Sequence, residues 1–139
     1  MFRTVIHALF IFGQIAIFAG TQDSLKQEIL KSPDHTKAKL FNDYSVKFQN
    51  ANWDSALAMA KTALHYSKTY ENREEAIRAY YSMGKAYIFI GDTDSAEQFL
   101  DSAELLNHND FPEYQAEIML NKGIIQEFKG VYDIALEHY

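Results

Sequence analysis

The sequence contains no cysteine and only two prolines. Without cysteine the chain cannot form disulfides, thiolate metal sites or a cysteine nucleophile, and it cannot carry the lipidated cysteine of a bacterial lipoprotein. Pro33 and Pro112 both lie where a helix should begin or end. No segment alternates apolar and polar residues with the two-residue period of a β-strand. These absences favour an all-α protein.

Clusters of positive charge are also missing. The 139 residues include 13 lysines and arginines against 19 aspartates and glutamates, and the formal net charge is −6. The basic residues are scattered singly, so the chain lacks the basic patch that nucleic-acid binding requires. We therefore expect no nucleic-acid partner.

Motifs for catalysis and for cofactors are absent as well. The five histidines do not show the spacing of a metal site, and no glycine-rich phosphate loop or serine-nucleophile turn occurs. Residues 91–97 resemble a calcium-binding loop only superficially. Glu97 stands where that loop requires glycine, and Ala103 stands where it requires a bidentate acid. We expect no metal, no cofactor and no enzymatic activity in this region.

One long hydrophobic run is present, at the start of the chain. Arg3 precedes an uncharged stretch at residues 5–19, and small residues at 19–21 separate it from the charged segment that begins at Asp23. This layout is typical of a secretory signal peptide, and the stretch is short for a membrane span of about 20 residues. We predict a signal peptide at residues 1–20 and export to the periplasm. An uncleaved anchor or a buried helix is the alternative.

After the apolar start, the signals are those of helices joined by short connections. Asn72 with Glu75, and Asp110 with Glu113, each match a capping box. Connections of a few residues suit antiparallel helix pairs. We predict helices at residues 23–31, 35–49, 52–69, 72–90, 93–106, 111–129 and from 132 to the end.

A short phrase recurs along the chain. It consists of a small residue, three residues of which the last is Asp, one further residue and an Ala, and it occupies positions 51–56, 91–96 and 130–135. The final alanines, Ala56, Ala96 and Ala135, are therefore almost evenly spaced. A fixed period of about 40 residues is typical of a repeat protein built from one helical unit. We infer that the same helical hairpin is built three times.

The glycines repeat with the same period. Gly84 and Gly91 are seven residues apart, as are Gly123 and Gly130, and the offset between the two pairs equals that between Ala96 and Ala135. Glycine inside a helix costs about 1 kcal/mol relative to alanine, so we expect Gly84 and Gly123 at close crossings of two helices. We expect Gly91 and Gly130 in the turns between paired helices, where glycine adopts a positive φ most easily.

The middle repeat resembles the tetratricopeptide repeat. It reads Tyr80-x-x-Met83-Gly84-x-x-Tyr87, followed by Ala96-x-x-x-Leu100. The resemblance covers residues 36–139 and implies a right-handed α-solenoid of antiparallel helix pairs. Lys122 and Gln126 depart from the pattern, since the third repeat should carry large apolar residues there. The residues expected to pack the repeats are Tyr80, Met83, Gly84, Tyr87, Ala96, Gly123 and Ala135.

The resemblance divides the chain into three parts. A signal peptide or anchor at residues 1–20 precedes a short helix and linker at residues 21–35. Residues 36–139 then form an array of about two and a half to three repeats. Because residue 139 falls inside the second helix of the third hairpin, we expect the chain to be the front part of a longer protein. Its uncapped last repeat could self-associate.

The layout also resembles the N-terminal extracytoplasmic region of bacterial membrane sensor proteins of the histidine-kinase type. This resemblance implies a non-catalytic scaffold that binds a protein or peptide, as the sensory part of a larger signalling protein. A free-standing periplasmic adaptor for envelope assembly is the alternative. We expect contact with a membrane only through the N-terminal segment or a span downstream of this chain.

In the tetratricopeptide family, the first helix of each hairpin lines a concave groove. The positions that the resemblance places there are Lys39, Asn42, Arg78, Tyr81, Lys85 and Asn121. Three basic groups in one groove lead us to expect an acidic segment or a C-terminal carboxylate as the ligand. Asn42 and Asn121 would then bond the ligand backbone.

Overall fold

The computed structural model describes residues 24–25 and 27–137, and the side chains as far as residue 130. The predicted signal peptide at residues 1–20 lies outside the described residues. Within the described part, no helix is both long enough and apolar enough to cross a membrane.

The chain divides into two compact units, Met1–Pro33 and Asp34–Tyr139. In the first unit, residues 24–25 and 27–31 are helical. The second unit contains the recurring phrases and the predicted groove, and the rest of the description concerns it.

The second unit consists of helices joined by short turns. After a single 3-10 turn at Asp34–Thr36, the helices are α1 Lys37–Gln49, α2 Trp53–Thr69, α3 Arg73–Ile90, α4 Thr93–Asn107 and α5 Pro112–Glu137. None of the described residues forms a β-strand. The prediction of an all-α fold is confirmed.

Polar side chains fix the starts of α2, α3 and α4. Asn52, Asn72 and Asp92 each accept a hydrogen bond from the backbone N–H three residues later, over 2.9, 3.2 and 3.0 Å. These caps satisfy amide groups that have no partner inside the helix. At Asn52 and Asp92, the first two occurrences of the recurring phrase therefore begin the second helix of a hairpin at a capped turn.

Gly91 ends α3 in the left-handed conformation, with a φ of 92°. Its N–H donates to the Ile88 carbonyl oxygen over 3.1 Å, and the Asp92 N–H donates to the Tyr87 carbonyl oxygen over 3.0 Å. These bonds satisfy carbonyl groups that the helix end would otherwise leave unpaired. The prediction of a turn at Gly91 is confirmed.

The helices form two layers. α1 and α2 pack as one antiparallel pair and α3 and α4 as another, and α3 also packs along α2. α1 contacts α3, and α3 contacts α5, whereas α2 and α4 share no contact of similar extent. We call α1, α3 and α5 the inner layer. Alanines such as Ala60, Ala79 and Ala96 are fully buried between the helices, and their small size lets the backbones approach.

α3 and α4 cross closely at Gly84. A Cβ atom on Gly84 would lie 2.7 Å from Leu100 Cγ and 3.2 Å from the Ala96 carbonyl oxygen. In the first hairpin, Ser45 occupies the position that corresponds to Gly84, and its hydroxyl donates to the Ala56 carbonyl oxygen over 2.8 Å. Both hairpins therefore bring the first helix against the backbone of the second helix at the same point.

α5 differs from the predicted third hairpin. It continues as a helix through Gly130 to Glu137, so the turn predicted at Gly130 is wrong. A Cβ atom on Gly123 would meet no atom within 4 Å, and the close crossing predicted there is wrong too. The reason is that no second helix returns along α5 within the described part of the chain. The side chain of Ala135, predicted to pack this hairpin, lies outside the described residues.

We expect Gly130→Ala to raise the free energy of unfolding by about 0.5–1 kcal/mol. A Cβ atom at this helical position meets no atom within 4 Å, and alanine has the higher helix propensity. Thermal unfolding followed by circular dichroism measures the change. Gly91→Ala is the control, and it should lose roughly 1 kcal/mol because of its positive φ. A loss of the same size at Gly130 would mean that α5 turns there in solution.

Candidate functional site

The inner layer brings the six predicted groove residues onto three neighbouring helices. Lys39 and Asn42 lie on α1, Arg78, Tyr81 and Lys85 lie on α3, and Asn121 lies on α5. Lys39 is exposed and Lys85 is half-buried, and neither forms an ion pair with a described residue. The other four side chains take part in contacts between helices.

Asn42 joins α1 to α3 through a buried pair of hydrogen bonds. Its side-chain amide donates to the Glu75 carbonyl oxygen over 2.9 Å and to Glu75 Oε2 over 2.8 Å. Asn42 is completely buried, and Glu75 is only 7% exposed. A buried carboxylate requires such donors because it has lost its hydration. Asn42 therefore supports the inner layer and does not face a ligand.

Arg78 is neutralised by carboxylates from two helices. Its guanidinium lies 2.7 Å from Asp43 of α1 and 3.7 Å from Glu75 of α3. The Arg78 side chain is only 19% exposed, so the pair with Asp43 is partly shielded from solvent. Arg78 thus fastens α3 to α1 and adds little free positive charge to the surface.

Tyr81 makes the corresponding link between α3 and α5. Its hydroxyl donates to Glu117 Oε2 over 2.9 Å, and the Asn121 amide donates to the Glu117 carbonyl oxygen over 2.8 Å. Burial raises the pKa of Tyr81, and the hydrogen bond to Glu117 raises it further. The phenol therefore keeps its proton and donates a hydrogen bond to Glu117 across the physiological pH range.

These contacts correct the predicted chemistry of the groove. Three free basic groups were expected, but Arg78 is paired with two carboxylates, which leaves only Lys39 and Lys85. Asn42 and Asn121 are 0% and 4% exposed, so they cannot bond a ligand backbone as predicted. The surface is close to charge-balanced.

The sequence analysis missed Asp43 and Glu75 as members of this surface. Glu75 was interpreted only as part of a capping box, although its carboxylate contacts α1. The one available signal was that Asp43 directly follows Asn42, a predicted groove position. Asp43 precedes Arg78 by almost a full repeat, and this spacing is compatible with an ion pair between neighbouring repeats.

The aromatic residues of the middle repeat pack against a phenylalanine of α4. The Tyr87 ring stacks on Phe99 with centroids 5.4 Å apart, and Tyr80 lies 6.3 Å from the same ring. Met83 is 3% exposed and packs with Leu57 of α2. Tyr80, Met83 and Tyr87 therefore join α3 to the helices on both sides of it.

A polar contact holds α5 against α4. Lys122 lies 2.7 Å from both Asp101 and Glu104, and Lys129 lies 2.6 Å from Glu97. Gln126 also donates a weaker hydrogen bond to α4, over 3.4 Å to Glu97. Lys122 and Gln126 are the residues that departed from the apolar repeat pattern, and acidic partners on α4 explain why they are polar.

The ion pairs of Lys122 make part of the stability dependent on pH. The hydrogen bond from Lys122 lowers the pKa of Glu104 below its ordinary value of 4.5. The contribution of this pair to the free energy of unfolding is therefore lost as the pH falls through the lowered pKa. The hydrogen bond to Asp101 raises the pKa of Lys122 above its ordinary value of 10.5. The contribution of this pair to the free energy of unfolding is therefore lost as the pH rises through the raised pKa. Both ion pairs therefore contribute fully to the free energy of unfolding between pH 4.5 and pH 10.5, the ordinary pKa values of the two groups.

We expect Lys122→Met to lower the free energy of unfolding by less than about 1 kcal/mol at neutral pH, because the pair is partly exposed. The difference from the unmodified chain should begin to shrink below pH 4.5 and should disappear once the pH has fallen through the lowered pKa of Glu104. Urea unfolding at several pH values measures it. Lys85→Met serves as the control, and its effect should not change with pH. A pH-independent effect of Lys122→Met would contradict the assignment.

A cavity of about 560 Å³ opens between the ends of α2 and α4, next to the start of α3. Leu105 and Leu106 contribute to its wall. Arg73 also lines it, but its guanidinium already donates to the Leu106 and Asn107 carbonyl oxygens over 2.8 and 2.9 Å. Because this cation is engaged within the fold, the candidate site remains the inner layer. No cluster of metal-binding side chains occurs among the described residues.

The family model of the tetratricopeptide repeat matches residues 47–117, which is just over half of the chain. The chain belongs to the tetratricopeptide repeat family. The match includes the whole of α2, α3 and α4. Comparison with curated proteins and with solved structures gave no match. Tetratricopeptide repeats are a non-catalytic fold that generally mediates interactions between proteins.

Proposed function

We propose that this tetratricopeptide array is a non-catalytic scaffold whose inner layer binds a protein or peptide segment. The observation that carries the proposal is that α1, α3 and α5 lie side by side and are joined by polar contacts between their side chains. Hydrogen bonds from Asn42 to Glu75 and from Tyr81 to Glu117 hold the helices in place. A surface fixed in this way loses little conformational entropy when it binds a ligand.

The ligand that suits this surface is balanced in charge. Lys39 and Lys85 remain free to pair with carboxylates, and Asp43 is already paired with Arg78. Glu117, which accepts a hydrogen bond from Tyr81, contributes negative charge to the same layer. A strongly acidic segment would meet these carboxylates as well as the lysines, and like charges repel. The proposed ligand is therefore an extended segment in which acidic groups near Lys39 and Lys85 are interspersed with uncharged residues.

For the biological setting, we propose the extracytoplasmic sensory part of a larger bacterial signalling protein. Support comes from the sequence: Arg3 followed by the apolar stretch at residues 5–19 is typical of an export signal. The second candidate is a free-standing periplasmic adaptor for envelope protein assembly. The same export signal supports both candidates, and the complete reading frame of the gene distinguishes them.

Site-specific crosslinking tests the binding surface. A photoreactive amino acid replaces Lys39 or Lys85, and in the control it replaces Lys61, an exposed lysine on α2. Envelope proteins should crosslink at positions 39 and 85 but not at 61, and unlabelled chain should compete with the reaction. Equal crosslinking at all three positions, or none at 39 and 85, contradicts the proposal.

Fusion to alkaline phosphatase after residue 40 tests the setting independently of binding. The fusion should be active, because the enzyme folds only after export, and mass spectrometry should show the loss of residues up to about 20. An inactive fusion that retains Met1 would show that the apolar start belongs to the fold and would leave the binding surface unaffected.

A further inference from the structure

The cavity of about 560 Å³ lies between the ends of α2 and α4, the second helices of the two complete hairpins. Its lining comes from α2, α3 and α4 and from the turns that follow α2 and α4. Ligand-binding pockets of proteins typically have volumes of roughly 300–1,000 Å³. The cavity is therefore large enough to hold a small molecule, and the two hairpins that form it are described along their whole length.

Apolar side chains form most of the surface of the cavity. Ala76 of α3 is 5% exposed and Leu106 of α4 is half-buried, whereas Leu105 is 72% exposed. In the first hairpin, His65 occupies the position that corresponds to Leu105. Because the repeat accepts a histidine there, the packing of the helices does not require this leucine. Leu105 thus adds apolar surface that a ligand in the cavity would remove from water.

Lys68 places a positive charge beside this apolar surface. Its ammonium lies 5.4 Å from the centre of the Tyr80 ring, and both residues line the cavity. Lys68 forms no ion pair with any described residue. Arg73, a second cation of the lining, is already paired with Asp110. The charge of Lys68 is therefore available to a ligand that lies against Tyr80.

The lining also contains one acidic residue, Glu71. Glu71 is exposed in the turn after α2, where its φ is 53°. Lys68, in contrast, is held against an aromatic ring of the lining. Of these two charges, only the positive one is thus placed next to the apolar surface, so an anionic group suits the cavity best.

We propose that the cavity binds a small amphipathic carboxylate, with the carboxylate paired to Lys68 and an alkyl chain lying along Ala76, Leu105 and Leu106. Contact with the alkyl chain excludes water from the cavity, and this strengthens the attraction between the two charges. The site lies between the second helices of the hairpins, whereas the proposed function uses the layer of first helices. It is therefore a second site that goes beyond the proposed function.

The binding test compares three ligands that have the same alkyl chain length but differ in charge: octanoate, octan-1-ol and octylamine. Each is titrated into the full chain, and backbone amide signals are followed by NMR. Octanoate should bind most tightly, shift the signals of Ala76 and Leu106, and bind more weakly in high salt. Equal or tighter binding of the alcohol or the amine would overturn the proposal, because the cavity would then bind apolar groups regardless of their charge.

Two lysines of α2 provide a matched pair of variants. Lys68→Met should weaken the binding of octanoate by roughly five- to tenfold and leave that of octan-1-ol unchanged. Lys61→Met is the control, because the Lys61 ammonium lies 5.8 Å from the centre of the Tyr87 ring but outside the cavity. Glu71→Gln should bind octanoate at least as tightly as the unmodified chain. Equal losses in the two lysine variants, or a loss in Glu71→Gln, would overturn the proposal.

Two hydroxyl residues test whether the cavity itself is the site. Ser102 lines the cavity, and Thr62 occupies the corresponding position of α2 outside it. Both hydroxyls donate to the carbonyl oxygen four residues earlier, over 2.9 and 3.0 Å, so replacement by leucine removes the same kind of bond. Ser102→Leu fills part of the cavity and should weaken octanoate binding at least about tenfold, whereas Thr62→Leu should have no effect.

Circular dichroism shows whether both leucine variants keep the helical fold. If Ser102→Leu is folded and binds octanoate as tightly as the unmodified chain, the ligand lies elsewhere and the proposal is wrong. If Ser102→Leu does not fold, the two lysine variants decide, since their side chains are exposed and their loss leaves no cavity in the core.

Discussion

Leu100→Ala is expected to lower the free energy of unfolding by about 2–5 kcal/mol, and Gly84→Ser by about 1–3 kcal/mol. Leu100 is completely buried, so its truncation leaves a cavity. A side chain at Gly84 would instead meet Leu100, because a Cβ atom would lie 2.7 Å from Leu100 Cγ. The first change underpacks the crossing of α3 and α4, and the second overpacks it.

The first hairpin shows how the two changes compensate. Ser45 and Ala60 occupy the positions that correspond to Gly84 and Leu100, and both are completely buried. The first hairpin thus combines a larger residue on its first helix with a smaller one on its second. There the serine hydroxyl donates to the Ala56 carbonyl oxygen. Gly84→Ser with Leu100→Ala reproduces this combination in the second hairpin.

A double-mutant cycle measures the compensation. The two single variants and the double variant are unfolded in urea, and the loss in the double variant should be about 1–2 kcal/mol smaller than the sum of the single losses. Gly123→Ser with Leu100→Ala is the control, since a Cβ atom on Gly123 meets no atom within 4 Å. In this control pair, the effects of the two substitutions on the free energy of unfolding should be additive. Additive effects for Gly84 and Leu100 would remove the packing explanation for this glycine.

Short-range patterns were sufficient to predict the two complete hairpins. The cap at Asn72 and the turn at Gly91 depend on residues within five positions of one another. The period of about 40 residues then relates the hairpins to each other, because the same crossing requires small residues at the same places. The helical fold could therefore be predicted before any tertiary contact was known.

The charge of the inner layer could not be predicted in the same way. Arg78 and Asp43 are almost a full repeat apart in the sequence, and their pairing depends on how α1 and α3 lie beside each other. The same holds for Tyr81 and Glu117, which are 36 residues apart. Each residue alone has the appearance of a solvent-exposed charge or aromatic group. Only the packing of neighbouring repeats neutralises Arg78.

Gly123 and Gly130 show a second limit of sequence periodicity. Their spacing is the same as that of Gly84 and Gly91, yet the structure places them within one continuous helix. The middle hairpin turns at Gly91, where Asp92 caps the next helix. Val131 stands at the position of Asp92 in the third phrase, and valine has no side-chain acceptor for a cap. The glycines recur, but the capping residue does not.

Asn107→Ala is expected to lower the free energy of unfolding by about 2–3 kcal/mol. Asn107 is completely buried, and its amide nitrogen donates to the Phe111 carbonyl oxygen and to Gln115 Oε1, over 3.1 and 3.2 Å. Its side-chain oxygen accepts from the Phe111 N–H over 3.0 Å. Each bond contributes about 1 kcal/mol, and its loss leaves a poorly solvated group unpaired.

The bonds of Asn107 fix the turn from α4 into α5, so the same variant should also loosen α5. Asn107→Asp has nearly the same shape and keeps the acceptor for the Phe111 N–H, but it loses both donors. The free energy of unfolding of Asn107→Asp should therefore lie between those of the alanine variant and the unmodified chain. Gln98→Ala, at an exposed position of α4, controls for general effects on that helix. Urea unfolding gives the stabilities, and hydrogen exchange shows where the protection is lost. If Asn107→Ala destabilises the chain but leaves α5 as protected as before, the turn does not position α5. The position of α5 in the inner layer would then depend on the contacts of Tyr81, Lys122 and Lys129 and on the packing of the buried Ile118 and Ile125.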